Sequence, residues 1–313
     1  MSRSPVTMIV STPCASPWRA RVPSTSYLLD SRRNPTEDDL IAAFKPAGLN
    51  SAVEAAGGLK NTLSALRAIN VIEVDADGIL RVGPKVKTSK TAFTKEQFRR
   101  VLQHRVFDLD RDGDVWATRV GDGHTSGGRD LNRALSWLLA QDALGRPLSW
   151  TDNVQAMQKD QFRTTNNEAW AITNDARWGP SARWILALGL ATPSVIREQN
   201  GIVPLPVVAI EDALTGFPSE RLTIQEFLAR IGKAIPVLSG GSVRTGLVSH
   251  LGYDPDPGIN EECADSSVGQ ALRILEDRGR VAFATLPDAD GIRLSRFDNT
   301  RQTHVTVRAG GRK

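Results

Sequence analysis

Three groups of residues have types and spacings that could do chemistry. Asp108, Asp110 and Asp112, with Gly113 and Asp114, match the opening half of an EF-hand loop. In such a loop, carboxylates at alternate positions and a glycine at the sixth wrap a calcium ion. The twelfth position, where a bidentate glutamate closes the site, is Arg119, and a guanidinium there adds positive charge beside the ion. The run therefore reads as an acidic surface turn. Gly121, Gly123, Gly127 and Gly128 surround His124, but no Gly-Lys-Ser or Gly-Lys-Thr follows, so this is not a phosphate-cradling loop. His104, His124, His250 and His304 lack metal-ligand spacing, and Cys14 and Cys263 cannot build a zinc ribbon or a disulfide framework. The residues thus predict no catalytic side chain, no metal and no cofactor.

What remains is positive charge in two places. Residues 84–105 carry Lys85, Lys87, Lys90, Lys95, Arg99, Arg100 and Arg105 against Glu96 alone. Residues 293–313 carry Arg293, Arg296, Arg301, Arg308, Arg312 and Lys313 against Asp298. Since the whole chain is only +4, the rest is acidic. Clustered cations suit a phosphate backbone, because neutralising phosphates releases counterions whatever the base sequence.

The elements that position these cations follow from periodicity. Thr36 with Glu37, Asp38 and Asp39 reads as a helix N-cap and acidic first turn, the helix running through Leu40, Ile41 and Phe44 and stopping before Pro46. Leu59, Leu63, Leu66 and Ile69 recur at helical spacing, leaving Lys60, Asn61, Ser64 and Arg67 on the other side. Two β-prone pieces, 71–74 and 79–82, flank Asp-Ala-Asp-Gly at 75–78, a hairpin signal. Near the other end, Thr223 and Glu226 form a capping box, a short helix fits 242–251, and Val268, Leu272 and Leu275 share one helix face. Residues 281–286 and 292–294 then flank a second Asp-Ala-Asp-Gly at 288–291.

Helices followed by a two-stranded hairpin have the order of a winged helix, in which the last helix can enter the major groove and the wing can touch the backbone. The expected fold is mainly α with short β-hairpins, an α+β chain of tandem winged helices flanking a helical middle. The boundaries are an irregular segment (1–33), a first winged helix (34–84), a basic linker or helix (85–105), the middle (106–220), a second winged helix (221–297) and a basic tail (298–313). A degenerate third copy falls at about 166–210, with a helix candidate at 167–172, an apolar helix after Pro180, and strands 191–196 and 202–208 turning at Asn200-Gly201. Residues 130–141 form a further helix with Leu131, Leu135, Leu138 and Leu139 inward. The tryptophans concentrated at 116–184 read as core anchors.

Candidate nucleic-acid contacts are Lys60, Asn61, Ser64 and Arg67 in the first winged helix and Lys85, Lys87, Lys90, Lys95, Arg99 and Arg100 in the linker. The second winged helix adds Gln270, Arg273, Arg280, Arg293 and Arg296. Asn, Gln and Arg can read base edges bidentately. Double-stranded DNA is the expected partner. The alternatives are a scaffold whose winged helices dock protein subunits without touching DNA, and a dimeric repressor on a palindromic site. No run of ~18 apolar residues crosses a membrane, the best stretch at 184–195 being short and flanked by Arg183 and Arg197. A cytoplasmic location is expected.

The segment RALSWLLAQDALGRPL (133–148), the block LSALRAINVIEVDADGILRV (63–82) and the overall length with a closing winged helix resemble the G component of the bacterial Dpd cluster, associated with 7-deazaguanine DNA modification and restriction. The resemblance implies an accessory, non-enzymatic protein that works with helicase or nuclease subunits against foreign DNA. It carries over no functional residue.

Overall fold

A computed structural model of the chain describes residues 34–44, 52–84, 86, 94–116, 128–162, 170–196, 200–253 and 263–308. In chain order the elements begin with α1 (Glu37–Phe44), α2 (Ala52–Ala68), β1 (Ile72–Val74), β2 (Leu80–Val82), α3 (Lys95–Val106) and the single turn α4 (Leu109–Asp112). Then come α5 (Arg129–Leu139), a π-helical turn (Trp150–Val154) running into α6 (Gln155–Gln161), α7 (Asp175–Ala187), β3 (Ala191–Pro193), β4 (Ile202–Pro204) and α8 (Val207–Leu214). The last group is β5 (Arg221–Thr223), α9 (Ile224–Ala234), α10 (Ser242–Leu251), α11 (Ser266–Asp277), β6 (Val281–Ala284) and β7 (His304–Val307). The fold is α+β, with small antiparallel sheets among the helices. Described residues within 34–115, 128–131 and 171–188 form one compact unit, and those within 132–170 and 189–308, with Trp116, form another.

In the first unit, the Thr36 amide and hydroxyl both donate to the Asp39 carboxylate while the Asp39 amide donates back to the hydroxyl at 3.2 Å, fixing the start of α1 as expected. α2 starts well before Leu59 and buries Leu59, Thr62, Leu63, Ala65 and Leu66, a wider stripe than the leucines alone mark. Asn70 then turns the chain with a left-handed φ of 51°. In the Asp-Ala-Asp-Gly turn, the Asp75 carboxylate accepts from the Asp77 and Ile79 amides, and β1 pairs with β2 in the expected hairpin. Thr36 bridges to Ile79, making an edge for that hairpin.

Arg105 on α3 is buried, its Nε donating to the Ile69 carbonyl at 3.0 Å and its Nη1 to Asp108 at 3.0 Å. Asp110, Gly113 and Asp114 are exposed, as an acidic surface turn requires, but Asp108 at its start is engaged: a guanidinium without water needs a carboxylate, and Asp108 supplies it. α7 is also longer than expected. It starts at Asp175, where Asn174 accepts from the Arg177 amide, and contains Pro180 rather than following it. A proline so near the N-terminus forfeits one helical hydrogen bond.

In the second unit, Trp137 of α5 is fully buried, donates from Nε1 to Gln161 at 2.8 Å, and meets Phe162 and Trp170 in an aromatic cluster. Leu148 bridges to Ile202, so β4 lies between Leu148 and β3. The strand ends at Pro204. Val207 and Val208, expected as strand, instead open α8 behind Pro206, which lacks a strand donor. Residues 170–172, expected to close a helix, are not helical, and 167–169 lie outside the described residues.

The closing sheet has the order β5-β7-β6, with Leu222 and Phe283 both opposite Val305. The capping box of Thr223 and Glu226 starts α9, and α10 spans the expected stretch. The hairpin partner differs from the expectation. β6 pairs with β7, not with 292–294, and the second Asp-Ala-Asp-Gly lies within the long connection between them. The alternation in His304–Val307 buries Val305 and Val307 on one face, which is what the central strand needs. Residues 292–294 serve another purpose, their Leu294 carbonyl lying where a Cβ on Gly269 would clash, so that α11 and this segment touch backbone to backbone.

Candidate nucleic-acid interface

The expected contacts sort by what their side chains already hold. On α2, Lys60 is exposed while Asn61, Ser64 and Arg67 are half-buried at the edge of the apolar stripe. Arg67 pairs with Glu37 at 2.5 Å, tying α2 to α1. On α3, the capping box of Thr94 and Gln97 orients the first turn, leaving Lys95 and Arg100 exposed and Arg99 half-buried opposite Phe98 and Leu102. The Glu96 carboxyl is held below its usual range, first by its own backbone amide and then by the Thr94 hydroxyl, so it stays ionised among these cations. Lys85, Lys87 and Lys90 lie outside the described residues.

From α11 to β7 the guanidiniums are mostly engaged. Arg273 of α11 pairs with Asp298, Arg280 with Glu211 of α8 at 3.1 Å, and Arg296 with Asp142 at 3.5 Å. Arg278, which no sequence pattern singles out, also approaches Glu211 at 3.5 Å. Gln270 and Arg293 are half-buried, and the backbone of Arg293 bridges to Cys263. The sequence pattern places Arg273 on a free helix face and Arg280, Arg293 and Arg296 around a wing. It carries no sign of Glu211, Asp142 and Asp298 arriving from distant segments.

One buried pair escapes the sequence altogether. Asp265, just before α11, lies against Arg244 of α10 at 3.3 Å, and Arg244 also covers the Tyr253 ring at 5.1 Å. Burial pushes the Asp265 carboxyl up, and the arginine opposes that. No sequence signal marks this pair, because helical spacing does not connect residues on different helices. Among the described residues, no group of His, Cys, Asp and Glu could hold a metal ion, and no helix is long and apolar enough to cross a membrane.

Helices interspersed with small antiparallel sheets define the chain as an α+β protein. A family model described as DpdG-like matches residues 8–289, and the chain belongs to that family. Membership connects it to the bacterial Dpd DNA-modification and defence system, and implies partners among the other proteins of that system. Comparisons with curated proteins and with solved structures give no match.

Proposed function

We propose that this chain is a non-enzymatic subunit of the Dpd assembly, built from winged-helix modules, which holds duplex DNA by its backbone through the first module and leaves the last module to dock a partner protein. The observation that carries the reading is a connectivity repeated three times. Thr36, Leu148 and β5 each form an edge that pairs with the second strand of a later hairpin, and helices stand between edge and hairpin. We read edge, helices and hairpin with the last strand in the middle as a winged-helix arrangement. In each copy a Ser or Thr ends the edge and enters the next helix: Thr36, Ser149 and Thr223.

The ion pairs support the division of labour. A guanidinium already facing a carboxylate must give up that partner to bind a phosphate, which lowers the gain from Arg273, Arg280 and Arg296. Lys60 on α2 faces no such competitor in its own helix turn, where its neighbours are Asn61 and Ser64. Fluorescence anisotropy of a random-sequence duplex tests the proposal. Binding should weaken steeply with salt, and Lys60→Glu should reduce affinity about three- to tenfold at low salt while leaving sequence preference unchanged. Absence of binding at low salt by folded protein overturns the DNA half of the reading.

A further inference from the structure

The second unit holds a cavity of ≈ 210 Å³ that none of the foregoing uses. Its body is apolar, with Ala140, Met157, Tyr253 and Ala264 among its walls, and its mouth carries Leu144 and Phe297. Leu144 is 57% exposed and Phe297 is 70% exposed, unusual for large apolar side chains that sit together at one opening. Near them lie Arg296, whose guanidinium covers the Phe297 ring at 5.0 Å, and Asp142.

The polar wall groups decide what this cavity can hold. Trp137 donates to Gln161, Gln161 to Gln141, and Gln141 to the Trp137 carbonyl, a closed ring of bonds. Ser266 donates to Asp142, which also accepts from the Leu144 amide, and the Ser295 hydroxyl accepts from the Phe297 amide. The cavity therefore offers an entering group apolar surface and few free hydrogen-bonding sites. A nucleobase would bury polar edges there without partners, a penalty that an aromatic or aliphatic side chain avoids. Size agrees, since an apolar cavity of about 150 Å³ accepts a benzene ring.

We infer that this cavity is a socket for one large apolar side chain, preferably aromatic, projecting from a partner protein. A buried aromatic anchor ringed by exposed apolar and charged residues is the pattern of an interface hot spot. The inference rests on the docking half of the proposed function and is independent of DNA contact, so duplex binding can fail or succeed without deciding it.

Cys263 lines the cavity and reports on it. In the full chain carrying Cys14→Ser, the rate of Cys263 alkylation by iodoacetamide is followed by mass spectrometry with N-acetyl-L-phenylalaninamide, indole or guanosine added. For a fragment of Kd near ~1 mM, protection should reach about tenfold at ten times Kd. Phenylalaninamide and indole should protect and guanosine should not. Ala264→Phe, which fills the cavity, should abolish the protection. If that variant fails to fold, Leu144→Asp with Phe297→Asp at the exposed rim should weaken it at least ~3-fold. No protection by either aromatic probe, equal or stronger protection by guanosine, or protection that survives both the filling and the rim variants overturns the socket.

Discussion

At the residue scale, a glycine and an ion pair fix the second unit. A Cβ on Gly246 would sit 2.0 Å from the Trp116 Nε1, an indole that donates to the Val243 carbonyl at 3.2 Å and stacks on His250 at 5.3 Å. Gly246→Ala must displace the whole ring, and urea melts should show a loss of about 1–3 kcal/mol. Arg244 and Asp265 are both nearly buried, so removing one strands the other. Arg244→Ala should cost about 3–5 kcal/mol, whereas replacing both with Met and Leu should cost much less. The carboxyls divide by sign. Asp39, Asp75 and Glu226 are held low, chiefly by hydrogen bonds at Thr36, Ile79 and Thr223, so their contributions are present above the usual carboxyl range and fade on acidification through their lowered values. Asp265 is raised by burial, so the folded state holds its proton more tightly and this group lowers stability as pH rises through the usual aspartate range towards its raised value. Asp265→Asn should remove that component from the slope of unfolding free energy against pH.

Element by element, what was legible from sequence is what local chemistry decides. The N-cap at Thr36, the capping box at Thr223 and the leucine stripe of α2 specify helix starts and faces without reference to anything distant. The first Asp-Ala-Asp-Gly forms the expected turn because a tight turn needs only its own residues. The second fails as an analogy. Identical residues lie in a long connection there, because Val305 and Val307 compete for the strand position with a better apolar alternation than 292–294. β7 is the central strand of its sheet, although its sequence reads as a basic tail. A chain ending at Gln302 should lose the pairing of both β5 and β6 and expose Leu222 and Val281, which are buried in the full sheet. Limited trypsin digestion should cut α11 and its surroundings in that truncation and spare them in the full chain. Equal protection of the two would mean that β7 adds little to its module.

For the molecule as a whole, net charge and local charge make different predictions. A modest +4 would favour duplex binding through any exposed cation, and neutralising Glu211 and Asp298 would then tighten it by adding net positive charge near Arg280 and Arg273. If DNA instead lies on the first module, the same double change, Glu211→Gln with Asp298→Asn, leaves the phosphate-binding cations as they were. The slope of log affinity against log salt distinguishes these cases, because its magnitude drops by about 0.9 for each phosphate that is no longer neutralised and is insensitive to charges far from the DNA. Lys60→Glu should make the slope shallower by about one, and the double change should leave it within ~0.5 of wild type. Both variants should remain folded, since Lys60 is exposed and the amide side chains keep an acceptor where Glu211 and Asp298 face Arg280 and Arg273. A steeper slope in the double variant would move the DNA onto the last module and its guanidiniums.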